Sequence, residues 1–238
     1  MKILVVGDAM RDEDVHCEIV KRYEDVPVLR ELRIDYRFGG AGNVHWMCEA
    51  LGVSSMLLSN DLDKVVKRRL MVHGKMVARY DTELAFDVLP CSYDWNGFHP
   101  DAVIVADHGK GFVQDSLLKS LPTDVPVFVD PFRTTGMIEG PQVIWVGSRD
   151  EIPEGVTGRR IVKRGSAGLD FVDGPYSRHF NSECLDAVDD VGAGDQFIVC
   201  LAIARVRDGM SWWDAIDRAN KAAGRQCQLV GIQPLTEF

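Results

Sequence analysis

Ile3-Leu4-Val5-Val6-Gly7-Asp8 is an unbroken apolar run that stops at a glycine and an aspartate. Strands covered on both faces read this way, so the run predicts a buried parallel strand with a functional loop behind it. Working outward, the same signature returns at Met56 to Leu58, Val103 to Ala106, Val127 to Val129, Val143 to Val146 and Ile161-Val162. Helical patterns occupy Asn43 to Leu51 and Val113 to Leu121. Strands alternating with helices predict an α/β fold, with a mainly parallel central sheet flanked by helices.

Two segments break that rhythm. Residues 15–37 and 66–81 alternate polar and apolar side chains, as in Val28-Leu29-Arg30-Glu31-Leu32-Arg33-Ile34. Alternation of period two predicts a small sheet with one face exposed, outside the main core. Such a sheet is either a lid over a site or a pair of ordinary surface hairpins. The last part of the chain reads as helical. One helix starts at Gly192-Ala193-Gly194-Asp195 and another near Ser211, which is a suitable N-cap. Trp212 and Trp213 read as packing residues.

The 238 residues suffice for one large domain with its own core. A formal net charge of −9 argues against a general nucleic-acid binder, which needs a basic face. Six cysteines without a C-x-x-C pair fit reduced, mostly buried thiols in a cytoplasmic protein. The apolar part of the N-terminus is too short for a signal peptide, and no run reaches membrane-spanning length. The six histidines show no metal-ligand spacing.

Two glycine-rich turns carry the chemical signal. In Asp189-Asp190-Val191-Gly192-Ala193-Gly194-Asp195, glycines let the backbone approach a ligand at a helix start, where N–H groups favour an anion. A carboxylate beside that anion can accept the proton of an attacking hydroxyl. A plain glycine turn with an acidic first helical turn is the alternative. In Gly39-Gly40-Ala41-Gly42-Asn43 the backbone is again open, and Asn43 offers donors and acceptors to sugar hydroxyls. No P-loop is present, because Gly109-Lys110 and Gly74-Lys75 lack its other residues. Nor does G-x-G-x-x-G follow the first strand.

The order Gly7-Asp8, then Gly39-Gly40-x-x-Asn43, then Gly192-Ala193-Gly194-Asp195 resembles the ribokinase-like, phosphofructokinase-B type, carbohydrate kinases. Within that family, three further stretches are similar to the heptose 7-phosphate kinases that form one half of the bacterial ADP-heptose synthesis enzyme. They are Gly7-Asp8-Ala9-Met10-Arg11-Asp12, Asp107-His108-Gly109-Lys110-Gly111 and Val129-Asp130-Pro131.

The resemblance implies a single ribokinase-like domain over residues 1–238 with a small β-lid. Its reaction would be ATP- and Mg²⁺-dependent phosphorylation of the anomeric hydroxyl of D-glycero-D-manno-heptose 7-phosphate. Asp195 would be the catalytic base, and Gly192, Ala193 and Gly194 the anion hole. Asp12, Gly39, Gly40 and Asn43 would bind sugar hydroxyls. Lys67, Arg69 and Arg79 on a basic lid strand pair, together with Lys110, would be candidates for the sugar phosphate. Lys163, Gly165 and Gly168 would belong to the ATP site, and Glu151 would serve magnesium. The lid would pair two copies into a homodimer. The alternatives are a kinase for another sugar or a nucleoside, or a trimmed non-catalytic relative that binds a sugar phosphate or a partner. The chain departs from the family pattern at Ser148, where Asn is usual, and at Val191 and Lys163, where Thr is common. It is also shorter after Asn60 and after Ile152, and it ends without the H-x-G-H motif of a nucleotidylyltransferase half.

Overall fold

The computed structural model describes residues 1–84, 97–122, 124–132, 136–138, 140–184 and 186–238; Cys91 lies outside them. The chain runs β1 (Lys2–Gly7), β2 (Ala9–Tyr23), β3 (Val26–Gly40), α1 (Ala41–Ala50), β4 (Ser54–Ser59), β5 (Val65–Val72), β6 (Lys75–Glu83), β7 (Ala102–Ala106), α2 (Asp115–Ser120), β8 (Val127–Asp130), β9 (Val143–Ser148), β10 (Arg159–Lys163), β11 (Leu169–Asp173), β12 (Tyr176–Phe180), α3 (Ala193–Ala202) and α4 (Trp212–Gln226). The central sheet has the order β12-β11-β10-β9-β8-β7-β1-β4. Strands β10 through β4 in that order are all parallel, and β11 and β12 add an antiparallel edge.

The apolar runs form strands because both faces of the sheet are covered. In β1, Ile3 and Val5 join Phe128, Ile144 and Ile161 beneath α1, α3 and α4. Leu4 and Val6 point the other way, to Val103, Val129 and Trp145 beneath α2. Burying a side chain of this size contributes about 1.5–3 kcal/mol, so one continuous strand anchors both layers. Trp212 and Trp213 pack as expected, with Phe171 stacked on Trp212 at 5.5 Å and Phe180 on Trp213 at 6.3 Å. Ser211 caps α4 by accepting the Asp214 N–H at 3.2 Å.

The two alternating segments form a second sheet of order β3-β2-β5-β6. They are not separate hairpins, because β2 and β5 pair in parallel and join them. The lid is also longer than residues 15–37 and 66–81. β2 starts at Ala9, one residue past β1, and β3 runs directly into α1. Residues 9–14 lack clean alternation because most of them are buried at the root of the lid. The helix expected over 113–121 shrinks to α2, and β9 connects to its parallel neighbour β10 through residues 149–158 without a helix. Parallel neighbours are usually linked by a helix, so this is where the shortening after Ile152 is absorbed.

Candidate active site

The parallel strands end on one edge of the sheet, where ligand crevices of open α/β sheets form. Asp8 follows β1, Asp107 and His108 follow β7, Asp130 ends β8 and Lys163 ends β10. Asp8 is fully buried. Its carboxylate accepts the backbone N–H groups of His108 at 2.9 Å, Lys110 at 3.1 Å and Phe112 at 2.9 Å. Its own carbonyl accepts the Ala41 N–H at 2.9 Å, at the start of α1. Asp8 therefore shapes the loop 108–112 and the Gly39–Asn43 turn together. Gly40 sits at φ 59° with the Asp8 carbonyl 2.2 Å from where a Cβ would stand, so only glycine fits there.

Opposite lies the N-terminus of α3. Gly192 takes the left-handed conformation, φ 80°, that turns the chain into the helix. Gly194 and Asp195 follow at positions where backbone N–H groups have no intrahelical partner. The Asp195 carboxylate accepts the Asn43 Nδ2 hydrogen at 2.5 Å, which ties α3 to α1. Burial raises the Asp195 pKa and the Asp130 carboxylate adds to the rise, while His108, Asn43 and Lys163 oppose it. A carboxyl group held above its usual range is better matched to accepting a proton near neutral pH.

On the lid side, register places Asp12 opposite Lys67, Asp14 opposite Arg69, and Arg69 opposite Arg79. Paired residues share a face, so these charges lie on one face, while Tyr36, Tyr80, Val15 and Leu70 occupy the other together with the Glu13–Arg68 ion pair. Asp12 is buried at 6% exposure, and Gly39 lies against its carboxylate. Arg69 is committed to Asp12 at 3.6 Å and Asp14 at 3.5 Å. Arg79 is held by Asp81, and Lys110 by Glu83. Lys67 has no carboxylate within ion-pair distance among the described residues. Burial lowers its pKa, Arg79 and Lys110 lower it further, and Asp12 and Asp81 oppose them. Of the basic candidates, Lys67 is the cation least neutralised by the protein itself.

The remaining candidates line a cavity of about 440 Å³ on the far side of the α3 N-terminus. Lys163, Gly165 and Gly168 form one wall, Ala193 and Gly194 another, and Asn220, Ala223 and Gly224 of α4 a third. Its lining is mostly small and apolar, as a slot for a flat ring requires. Lys163 Nζ donates to Asp130 at 2.8 Å and stands 3.6 Å from a Cβ placed on Gly194. Burial pulls the Lys163 pKa down, but Asp130, Glu151 and Asp195 outweigh it and raise it. Glu151 accepts the Ser148 N–H at 2.7 Å. Among the described residues, no three His, Cys, Asp or Glu side chains converge as metal ligands.

The structure thus bonds Asp195 to Asn43, sets Gly39 and Gly40 against Asp12 and Asp8, and places Lys163 beside Gly194 just past Gly192 and Ala193. Gly165 and Gly168 belong to the adjoining cavity. Arg69 and Arg79 lie on the lid and are engaged by acids. Asp8, His108 and Asp130 stand within the sequence stretches that carry the resemblance, where none of them has an assigned role.

Residues 149–237 match the profile of the pfkB family carbohydrate kinases. A D-beta-D-heptose 7-phosphate kinase of Bordetella bronchiseptica is 26% identical, across 99% of this chain and 93% of its own length. The bifunctional protein HldE of Aeromonas salmonicida is also 26% identical, across 94% of this chain. The chain covers 59% of that protein, so it spans only about three-fifths of the bifunctional relatives it matches. A ribokinase of Arabidopsis thaliana, solved with ribose and ATP, aligns with a TM-score of 0.64 at 16% identity, covering 96% of this chain and 93% of its own. The fold is ribokinase-like, with a mainly parallel sheet, flanking helices and a lid-like second sheet.

Proposed function

We infer, from a ribokinase-like fold and a carbohydrate-kinase match over residues 149–237, that this chain is a phosphotransferase acting on a sugar hydroxyl. ATP is the donor, and the leading acceptor is D-β-D-heptose 7-phosphate, after the relative that spans nearly the whole chain. One observation carries the reading. A half-buried carboxylate, Asp195, stands at a glycine-lined helix N-terminus and is joined through Asn43 to the Gly39–Asn43 turn.

Asp195 takes the proton of the acceptor hydroxyl as its oxygen attacks the γ-phosphorus. The bond from that phosphorus to the bridging oxygen breaks, and ADP leaves. The N–H groups at the start of α3 and the Lys163 ammonium hold the charge that spreads over the transferring phosphoryl. Asp12, Gly39, Gly40 and Asn43 position the sugar, and Lys67 faces its phosphate, with Arg69, Arg79 and Lys110 around it. The nucleotide base lies in the cavity walled by Gly165, Gly168 and Gly224.

Magnesium, when bound, neutralises phosphate charge. Glu151 would hold it through water, because magnesium keeps most of its waters and needs few protein carboxylates. The face of the lid that shows Tyr36 at 61% and Tyr80 at 51% exposure, with Glu13 and Arg68 paired between them, suits a second copy. A dimer in light scattering that Tyr36→Glu splits supports this pairing, and a monomer at micromolar concentration removes it.

The test of the function is a coupled ADP-release assay over a panel of sugars and sugar phosphates. Turnover is expected with D-β-D-heptose 7-phosphate. Asp195→Asn should cut it about 10²–10⁴-fold with little change in either KM. Turnover with a different sugar corrects the acceptor alone. Sugar binding without turnover, unchanged in Asp195→Asn, identifies a non-catalytic binding protein instead.

A further inference from the structure

Asp12 Oδ1, Asn43 Oδ1 and His108 Nε2 are buried, and none has a hydrogen-bond partner among the described residues. Native proteins rarely leave such atoms empty-handed, so each asks for a ligand or a water. All three border the Gly39–Asn43 turn. Asp12 lies against Gly39, the His108 ring comes within 3.0 Å of a Cβ placed on Gly40, and Asn43 ends the turn. The two oxygens only accept, so they suit hydroxyl protons. The imidazole differs, because with the proton on Nε2 it donates to a hydroxyl oxygen.

His108 is held for this purpose from behind. Its N–H is fixed by the buried Asp8 carboxylate at 2.9 Å, and the Lys110 and Phe112 N–H groups, which also donate to Asp8, lock the loop that follows it. The ring stands beside Gly40, and the same turn ends at Asn43, which donates to Asp195. It therefore sits at the turn that leads to the base. We propose that His108 is a specificity-determining residue for the acceptor, whose Nε2 hydrogen-bonds a hydroxyl neighbouring the one that Asp195 deprotonates. This rests on the kinase reading and narrows the acceptor class to a polyhydroxylated ring rather than a lone alcohol.

Isothermal titration without ATP tests it, using D-β-D-heptose 7-phosphate and its singly deoxygenated analogues. The wild type should bind one analogue about three- to tenfold more weakly than the parent sugar, the loss typical of one hydrogen bond. His108→Phe should bind the parent more weakly by a similar factor and lose nothing further with that analogue. His108→Gln, which keeps a donor, should recover part of the discrimination, and ATP affinity should stay unchanged throughout. His108→Ala repeats the measurement if the phenylalanine variant fails to fold. Equal discrimination among the analogues by wild type and variant overturns the assignment of His108 while leaving the kinase reading intact. Absence of any sugar binding by the wild type overturns the acceptor reading and this assignment with it.

Discussion

Asn43 and Asp195 are 152 residues apart in the chain, yet the Asn43 amide donates to the Asp195 carboxylate at 2.5 Å. The bond favours the ionised form of a carboxyl group that burial otherwise holds high. Asn43→Ala removes it, so the Asp195 pKa should rise further. The acid limb of kcat/KM should shift to higher pH in the variant, because the base works only when deprotonated. A pH–rate profile checks this, and an unmoved limb would assign the limb to another group.

The same raised pKa has a cost for folding. The folded chain keeps the Asp195 proton to higher pH than the unfolded chain, whose carboxyl group titrates near 3.8. The associated stability is full below that value and is lost as pH rises through the folded pKa. Asp195→Asn abolishes the titration. Its melting temperature should exceed the wild type's at pH 7, and the gap should close toward pH 4, as read by calorimetry across that range.

Lys163 places its ammonium beside Gly194, at the proposed anion hole. Lys163→Met should raise the KM for ATP about 10–100-fold, in line with the loss of a charged hydrogen bond. Sugar affinity should not follow. If both change equally, Lys163 is a structural partner of Asp130 and nothing more.

Two glycines of the nucleotide side should respond differently to alanine. Gly168 sits at φ 90°, and a Cβ there meets the Phe180 carbonyl at 2.0 Å. Gly168→Ala should cost about 1–3 kcal/mol and lower the melting temperature by several degrees. At Gly194 an added Cβ meets only Lys163 Nζ, at 3.6 Å. Gly194→Ala should melt like the wild type, and Gly194→Val, with bulk directed at Lys163, should lose turnover. Thermal melts and rates on the same preparations separate the two.

Glu151 shapes its own loop by accepting the Ser148 N–H. Glu151→Gln keeps an acceptor for that bond and loses the charge. The magnesium concentration for half-maximal rate should rise in the variant. An unchanged magnesium dependence would leave Glu151 as a loop-forming residue.

The apolar runs were legible because strands buried on two faces cannot afford polar positions, as Ile3 to Val6 shows. The lid was legible where it faces solvent and illegible at its root, where Ala9, Met10, Asp12 and Glu13 are all buried. Asp195 and Asn43 were found through glycines that mark close backbone approach. Asp8, His108 and Asp130 stood in the family-like stretches without a role, because their partners lie about a hundred or thirty residues away. The hydrogen bonds of Asp8 to residues 108–112 leave no periodic trace in the chain. Lys67 could not be ranked above Arg69 and Arg79 until the register showed which cations already had carboxylates.

β1 lies between β4 and β7, and the crevice at its end is completed by Asp195. During translation the first strand therefore emerges before either neighbour, and Asp12 and Asn43 are made well before Asp195. Pairings so distant along the chain form slowly, since each closes a long loop before it is rewarded. On the proposed mechanism, no growing chain that stops short of α3 can contain a working centre. Activity should arrive all at once when α3 is in place, rather than accumulating as the polypeptide lengthens.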